Sequence, residues 1–143
     1  MPKPRAVLDS SVVVSGIGWR GGDARAVLKL LAVGGFESWR TPWITAEWFD
    51  TVQRVAETEK RWRNPNWTNW LEWLKTVSKF SDDIPIRKTV KRDPKDDPVV
   101  MAAVSVQAAF IVTSDSDLLT LGKPHGVHCV TPRGFVSTIL RRQ

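Results

Sequence analysis

The sequence predicts an α/β domain, a three-layer α/β/α sandwich around a central parallel sheet, and three observations predict it. Segments of strand character alternate with segments of helical character through most of the chain. The strand segments are continuous apolar runs, as expected where helices cover both faces of a parallel sheet. The length of 143 residues suits one hydrophobic core, so a single domain over residues 1–143 is expected.

The elements follow in order. Arg5-Ala6-Val7-Leu8-Asp9 reads as a short buried strand ending on an acid. Ser10, Ser11 and the apolar run Val12 to Val14 come next, and Gly16, Gly18, Gly21 and Gly22 mark a loop. Asp23 is a cap for a helix in which Ala26, Val27, Leu30 and Leu31 recur at helical spacing, with Gly34-Gly35 closing it. A strand is expected at Phe36 to Arg40. From Ile44 to about Glu57, Trp48, Phe49, Val52 and Val55 keep helical spacing, with Thr45 as the cap candidate. Asn64-Pro65-Asn66 interrupts, and Trp67 to about Phe80 resumes with Trp67, Trp70, Leu71, Leu74 and Val77 on one face. These two helices are expected to form a protruding hairpin.

Ile84-Pro85-Ile86 reads as extended and Lys88 to Lys95 as a basic loop. A helix then opens at Asp96 or Asp97, with Pro98 in its first turn, and runs to about Gln107. Ala109 to Thr113 is an apolar strand ending in Ser114-Asp115-Ser116-Asp117. A helical turn at Leu118 to Leu121, a strand at Val127 to Val130 and a helix from about Pro132 to Leu140 complete the chain.

Composition excludes several classes. With 42% hydrophobic and 25% charged residues, the chain has enough apolar surface to fold and is not a disordered segment. Its apolar runs fall far short of the roughly 20 residues that span a bilayer. Met1 to Arg5 leads into a strand-like segment without the apolar core of a signal peptide, so a cytoplasmic protein without a membrane role is expected. A single cysteine, Cys129, excludes an intrachain disulfide or a cysteine-based zinc cluster and reads as a small buried strand residue. A formal charge of +6 with a pI near 9.9 favours polyanionic partners through phosphate contacts and counterion release.

Against that basic background the acids gather at a few places. Open parallel sheets bind ligands outside the carboxyl ends of their strands. Asp9 ends one strand, and Asp115 with Asp117 follows another. Asp96 and Asp97 open the helix before that second strand, and Glu47 begins an earlier helix, so both regions can reach the same crevice. Carboxylates brought together repel one another unless a cation neutralises them. Oxygen donors select Mg²⁺ or Mn²⁺, and His125 and His128 read as ordinary surface or strand residues. An ion so held, beside a basic surface, suits phosphodiester hydrolysis. Ser10, Ser11 and Thr113 read as hydroxyls that orient a carboxylate or water. Each acid alone is equally explained as a helix cap or as a complement to the helix dipole; their order and spacing distinguish them.

Val7-Leu8-Asp9-Ser10-Ser11-Val12, Glu47 near a helix start, Asp93-Pro94-Lys95-Asp96-Asp97-Pro98-Val99-Val100 and Ile111-Val112-Thr113-Ser114-Asp115-Ser116-Asp117-Leu118-Leu119 resemble, in that order, the acidic motifs of PIN domains. The likeness runs from Arg5 to about Arg133 and is nearest to the toxin components of prokaryotic toxin–antitoxin pairs. It implies a PIN-like fold, Mg²⁺ or Mn²⁺ dependence, endonuclease activity on single-stranded RNA, a homodimer and a cognate antitoxin protein. Asp9, Glu47, Asp96 and Asp115 match the family's catalytic acids, with Asp117 as an additional one. The implied metal ligands are Asp9, Asp96, Asp97, Asp115 and Asp117, with the third acid either Asp96 or Asp97. Family members commonly carry Thr-Asn after the first aspartate; Ser10-Ser11 stands here instead, which implies altered tuning.

Eight tryptophans and no tyrosine crowd the chain. Trp67, Trp70 and Trp73 recur near a helical turn, which favours packing or a partner interface over base stacking. Trp62, between Arg61 and Arg63, is the best stacking candidate. Lys91 and Arg92, within the basic loop, either guide a phosphate backbone or are solvated; an antitoxin's acidic tail is a third possibility. The expected function is a metal-dependent ribonuclease of the toxin type. Its rivals are a nuclease for DNA or RNA processing and an inactive RNA- or protein-binding module.

Overall fold

The computed structural model describes residues 2–82 and 97–142. Its elements are β1 (Arg5–Leu8), α1 (Ser10–Gly18), α2 (Asp23–Ala32), β2 (Glu37–Arg40), α3 (Pro42–Thr58), α4 (Trp67–Val77), β3 (Lys79–Phe80), α5 (Pro98–Ser105), β4 (Phe110–Val112), α6 (Ser116–Leu121), β5 (His128–Val130) and α7 (Pro132–Arg141). The strands form one parallel sheet in the order β3-β2-β1-β4-β5, flanked by helices. The chain therefore builds outward from β1 to β3 and then returns to the other side of β1 with β4. That reversal puts the topological switch point between β1 and β4.

Ala6, Val7, Leu8, Ile111 and Val112 have no exposed surface, so both faces of the central strands are covered, as their unbroken apolar sequence requires. The register pairs Leu8 with Val112, so the residues that leave the sheet next, Asp9 and Thr113, emerge side by side. On the far side of the core, Phe135 of α7 meets Phe36 and Phe110 edge-on at 4.8 and 5.5 Å.

Several boundaries differ from the expected ones, each for a local reason. The glycines after Val14 do not open a loop at once; Ser10–Gly18 is helical, with Val12, Val13 and Ile17 buried. Gly16 and Gly18 sit in this helix because neighbours leave no room for a side chain. A Cβ at Gly16 would stand 2.8 Å from Leu28, and one at Gly18 would stand 2.3 Å from the Trp62 ring. Close packing offsets the roughly 1 kcal/mol that glycine costs a helix. Gly22 rather than Asp23 occupies the cap position of α2, and Asp23 becomes the acid of its first turn.

Helix α3 starts earlier than expected. Thr41 caps it by accepting from the Ile44 amide at 3.2 Å, while Thr45 donates its hydroxyl back to the Thr41 carbonyl. Helix α4 stops at Val77, because Lys79–Phe80 turns into a two-residue edge strand against Trp39 and Arg40. So short a strand leaves no periodicity to read. Helix α6 begins at Ser116, two residues before the expected turn, because Asp115 caps it. The segments at Ile84–Ile86 and Lys88–Lys95 lie outside the described residues.

The α3–α4 hairpin keeps its inner face in the core. Trp48, Val52, Leu71 and Leu74 have no exposed surface, and α1 packs against both helices. The Ser38 and Ser78 hydroxyls, 2.8 Å apart, tie the end of the hairpin to β2. Among the described residues, no helix is long and apolar enough to cross a membrane.

Candidate active site

Asp9 extends the β1–β4 ladder by one bond, its amide donating to the Val112 carbonyl at 3.0 Å. It stands at the cap position of α1, yet its side chain makes no cap bond. The duller reading of this acid, a helix cap, is therefore not what the carboxylate does. Instead Oδ2 accepts from Ser11 Oγ and from Thr113 Oγ1, both at 2.8 Å. Only 8% of Asp9 is exposed, and a carboxylate so enclosed is tolerable because these hydroxyls bond it.

The same hydroxyls hold the second acidic loop. Thr113 Oγ1 accepts from the Asp115 amide at 3.0 Å, and Ser11 Oγ accepts from the Ser114 amide at 3.1 Å. Two side chains thus bridge the loops after β1 and β4. Asp115 Oδ1 caps α6 through the Asp117 amide at 2.9 Å, and Asp97 Oδ1 caps α5 through the Val99 amide at 2.8 Å. For these two acids the capping role is real, and it also anchors each side chain at the mouth of the sheet. Trp48, wholly buried, donates from Nε1 to the Leu8 carbonyl at 2.7 Å and so pins α3 to the end of β1, one residue from Glu47.

These elements enclose a cleft of about 530 Å³ lined by Asp9, Ser10, Ser11, Glu47, Asp97 and Asp115, together with Trp43, Thr51 and apolar side chains. Four of the expected acids thus share one cleft. Asp117 is exposed in the first turn of α6 and is not among the lining residues. Asp96, Lys91 and Arg92 lie outside the described residues. Among the described residues, no three Asp, Glu, His or Cys side chains form a group that could hold a metal ion. The described acids line the cleft without closing into a cage.

The acids are felt beyond the cleft. Burial pushes the Cys129 thiol of β5 upward, and the negative charges of Asp97 and Asp9 push it further. It stays protonated, which suits a buried strand residue and not a nucleophile.

Of the basic and aromatic candidates, Arg61 pairs with Glu59 at 3.2 Å. Trp62 is half-buried: its ring covers Gly18, meets Trp19 edge-on at 5.5 Å and donates from Nε1 to the Asn64 carbonyl. Arg63 borders a smaller pocket of about 240 Å³ with Arg20 and Arg25. There the Arg25 guanidinium lies 4.1 Å from the Trp70 ring centre and donates to the Gly16 and Ile17 carbonyls at the end of α1. Burial, and then the charge of Arg20, lower its pKa.

Sequence reasoning missed Trp48 as the anchor of Glu47, and Trp43 and Thr51 as cleft residues. The spacing offered a signal, because Trp43, Glu47, Thr51 and Val55 recur every fourth residue of α3 and all line the cleft.

An open parallel sheet with a carboxylate-lined cleft at its switch point defines the class, an α/β/α domain built around acids at the carboxyl edge. The chain belongs to the PIN-domain family: the family model described as PIN domain matches residues 5–117, which include β1 through β4 and all four cleft acids. Membership of this family points to nuclease activity in general. No curated protein matches the chain.

Proposed function

We propose that the protein is a metal-dependent endoribonuclease that hydrolyses phosphodiester bonds in single-stranded RNA, acting as the toxin of a toxin–antitoxin pair. The observation that carries this reading is the cleft that Asp9, Glu47, Asp97 and Asp115 share at the switch point. The +6 charge adds a general attraction for a polyanion.

The donor set fits a hard cation. The cleft offers carboxylate and hydroxyl oxygens, and among the described residues no histidine or cysteine lines it, which matches Mg²⁺ or Mn²⁺. Asp9, Asp97 and Asp115 are the residues assigned to hold the ion, which requires their carboxylates to draw closer than they stand, with Asp96 the alternative third acid and Asp117 an outlying one. When bound, such an ion supplies charge neutralisation and polarisation of a phosphoryl oxygen. The chain's own residues do the rest. Ser11 and Thr113 fix the direction of the Asp9 carboxylate. Glu47, on the α3 wall, serves as the carboxylate that takes a proton from the attacking water. Trp48 sets the position of that wall.

The test is incubation of the protein with single-stranded RNA and single-stranded DNA in Mg²⁺, Mn²⁺ or EDTA, beside an Asp9→Asn variant. Cleavage of RNA that needs the ion and is lost in Asp9→Asn is expected. Cleavage that survives both EDTA and the substitution overturns the mechanism, and cleavage of DNA alone overturns the substrate. The toxin role predicts that expression arrests growth, that Asp9→Asn relieves the arrest, and that a co-expressed antitoxin protein does the same. The reading includes a homodimer, which sedimentation of the purified chain tests.

A further inference from the structure

We propose that the pocket formed by Arg20, Arg25 and Arg63 at the carboxyl end of α1 binds a backbone phosphate of the single strand, a few nucleotides from the bond cut at the acids. This rests on the nucleic-acid reading above and deepens it, by adding a second place where the strand is held.

The pocket, of about 240 Å³, is lined by the three arginines with Asn64 and Asn66, and no acid lines it among the described residues. Arginines at the carboxyl end of a helix are ordinarily explained by its dipole and its last carbonyls. Here that work is done without two of the three side chains. Arg25 donates to the Gly16 and Ile17 carbonyls, Asn64 Nδ2 donates to Ile17 at 2.9 Å, and the Arg63 amide donates to Gly18 at 3.0 Å. The guanidinium groups of Arg20 and Arg63 have no hydrogen bond or ion pair among the described residues. Arg25 itself spends two of its five N–H donors on the carbonyls, while the Trp70 ring 4.1 Å away holds its plane. The like charges are uncompensated: burial, and then Arg20, lower the Arg25 pKa. A bound anion relieves such repulsion, and guanidinium forks match the oxygens of a phosphate.

Continuity with the acid-lined cleft favours a phosphate of the same strand over a carboxylate of a protein. Helix α1 borders both sites: Ser10, Ser11 and Val14 line the cleft, and Gly18 lines the arginine pocket. Ser10, Val14 and Gly18 stand four residues apart in turn and so lie along one stripe. From Ser10 to Gly18 the helix rises about 12 Å, a length that a few nucleotides of backbone cover. Single-strand binders hold the backbone with positive groups over about 4–16 nucleotides. The acids accept a phosphate only through a cation, whereas arginines accept one directly, so the two sites hold different phosphates of one strand.

The test uses the full chain and a single-stranded RNA oligonucleotide whose cleaved bond has been mapped. The double variant Arg20→Ala, Arg63→Ala leaves the Arg25 contacts in place, and its thermal melt is expected to match that of the wild type. In cleavage it is expected to raise KM about tenfold with kcat held, the scale of a lost charge-assisted contact. In an Asp9→Asn background the same two substitutions are expected to weaken binding by a similar factor. They should also flatten the slope of log affinity against log salt by about 0.7, the single-strand value for one phosphate. Oligonucleotides in which one phosphate at a time is replaced by a neutral methylphosphonate locate the contact. At one position away from the mapped bond, the replacement should weaken binding when the arginines are present, and the difference between the two proteins should vanish. A general loss of positive charge does not produce that dependence. If the double variant matches the wild type on RNA, or is weaker by the same factor at every position, this proposal is overturned and the nuclease reading stands. Loss of poly-glutamate binding with RNA binding unchanged assigns the pocket to an acidic protein partner and likewise overturns it. If the wild type neither binds nor cuts single strands, both fall.

Discussion

The hydroxyl of Thr113 donates to Oδ2 of Asp9 over 2.8 Å, joining positions 104 residues apart at the point where β1 and β4 leave the sheet. The same oxygen of Thr113 accepts from the Asp115 amide. One buried threonine therefore sets the direction of one acid and the backbone of another. Four predictions follow from contacts of this kind.

Thr113→Val keeps the shape of the side chain and removes both hydrogen bonds. It should reduce RNA cleavage by roughly 10–100-fold, the usual effect of losing a group that orients a metal-site ligand, and raise the Mg²⁺ concentration needed for half-maximal rate. Stability should fall by about 1–3 kcal/mol, because the Asp115 amide and the Asp9 carboxylate each lose a partner. A Mg²⁺ titration and a urea melt measure the two effects separately.

Trp48→Phe removes the donor to the Leu8 carbonyl and leaves a small void beneath α3. A loss of about 2–3 kcal/mol is expected in denaturant unfolding. Because Glu47 is the neighbouring residue, the folded variant should also show a lower kcat than the wild type at saturating substrate.

Gly18→Ala places a methyl group where the Trp62 ring lies. Overpacking at a close contact should cost about 1–3 kcal/mol. Trp62→Ala should also destabilise, and in the double variant the penalty for the added methyl should shrink, since the obstructing ring is gone. Thermal melts of the four proteins test this coupling.

Glu37 couples the edge of the sheet to pH. Hydrogen bonds from the Trp39 indole and then from Lys79 hold its carboxyl below the usual carboxylate range, with Lys79 and Arg5 adding charge attraction. A depressed folded-state pKa stabilises the protein above the unfolded value of about 4.3. That contribution disappears as pH falls through the lowered folded value. Glu37→Gln should therefore reduce stability at pH 7 by about 0.5–1 kcal/mol, or roughly 2–4 °C in Tm. The difference from wild type should narrow as the pH drops below the unfolded value and close once it passes the lowered folded value. A constant difference across that range contradicts the assignment.

Much of the fold was legible because its causes are local. The apolar runs at Arg5–Leu8 and Phe110–Val112, the helical spacing in α2 and α4, and Pro98 in a first turn each act within a few residues. The misplaced boundaries arose where the deciding partner is distant. Gly16 and Gly18 look like loop residues until Leu28 and Trp62 are packed against them. Strand β3 exists because Trp39 and Arg40 offer it a partner.

The acids divide in the same way. Asp9, Glu47, Asp96 or Asp97, and Asp115 could be picked out by type and by their places at strand and helix ends, and their order led to the family. Asp115 and Asp117 are both exposed and stand two residues apart, yet Asp115 lines the cleft and Asp117, the additional acid of the sequence reading, does not. Asp115 is the cap of α6 and Asp117 lies within its first turn, so only the packing of α6, against β5, decides which of them borders the cleft.

By itself, then, the amino-acid order determined the alternation of strands and helices, the charge and the candidate acids, since each depends on neighbouring residues. The tertiary structure decided that Ser11 and Thr113 would share one oxygen of Asp9, that Trp48 would secure the wall bearing Glu47, and that Trp43 would face the acids. Those relations depend on the strand order β3-β2-β1-β4-β5, which brings residues a hundred positions apart to one edge, and no local periodicity encodes such a meeting.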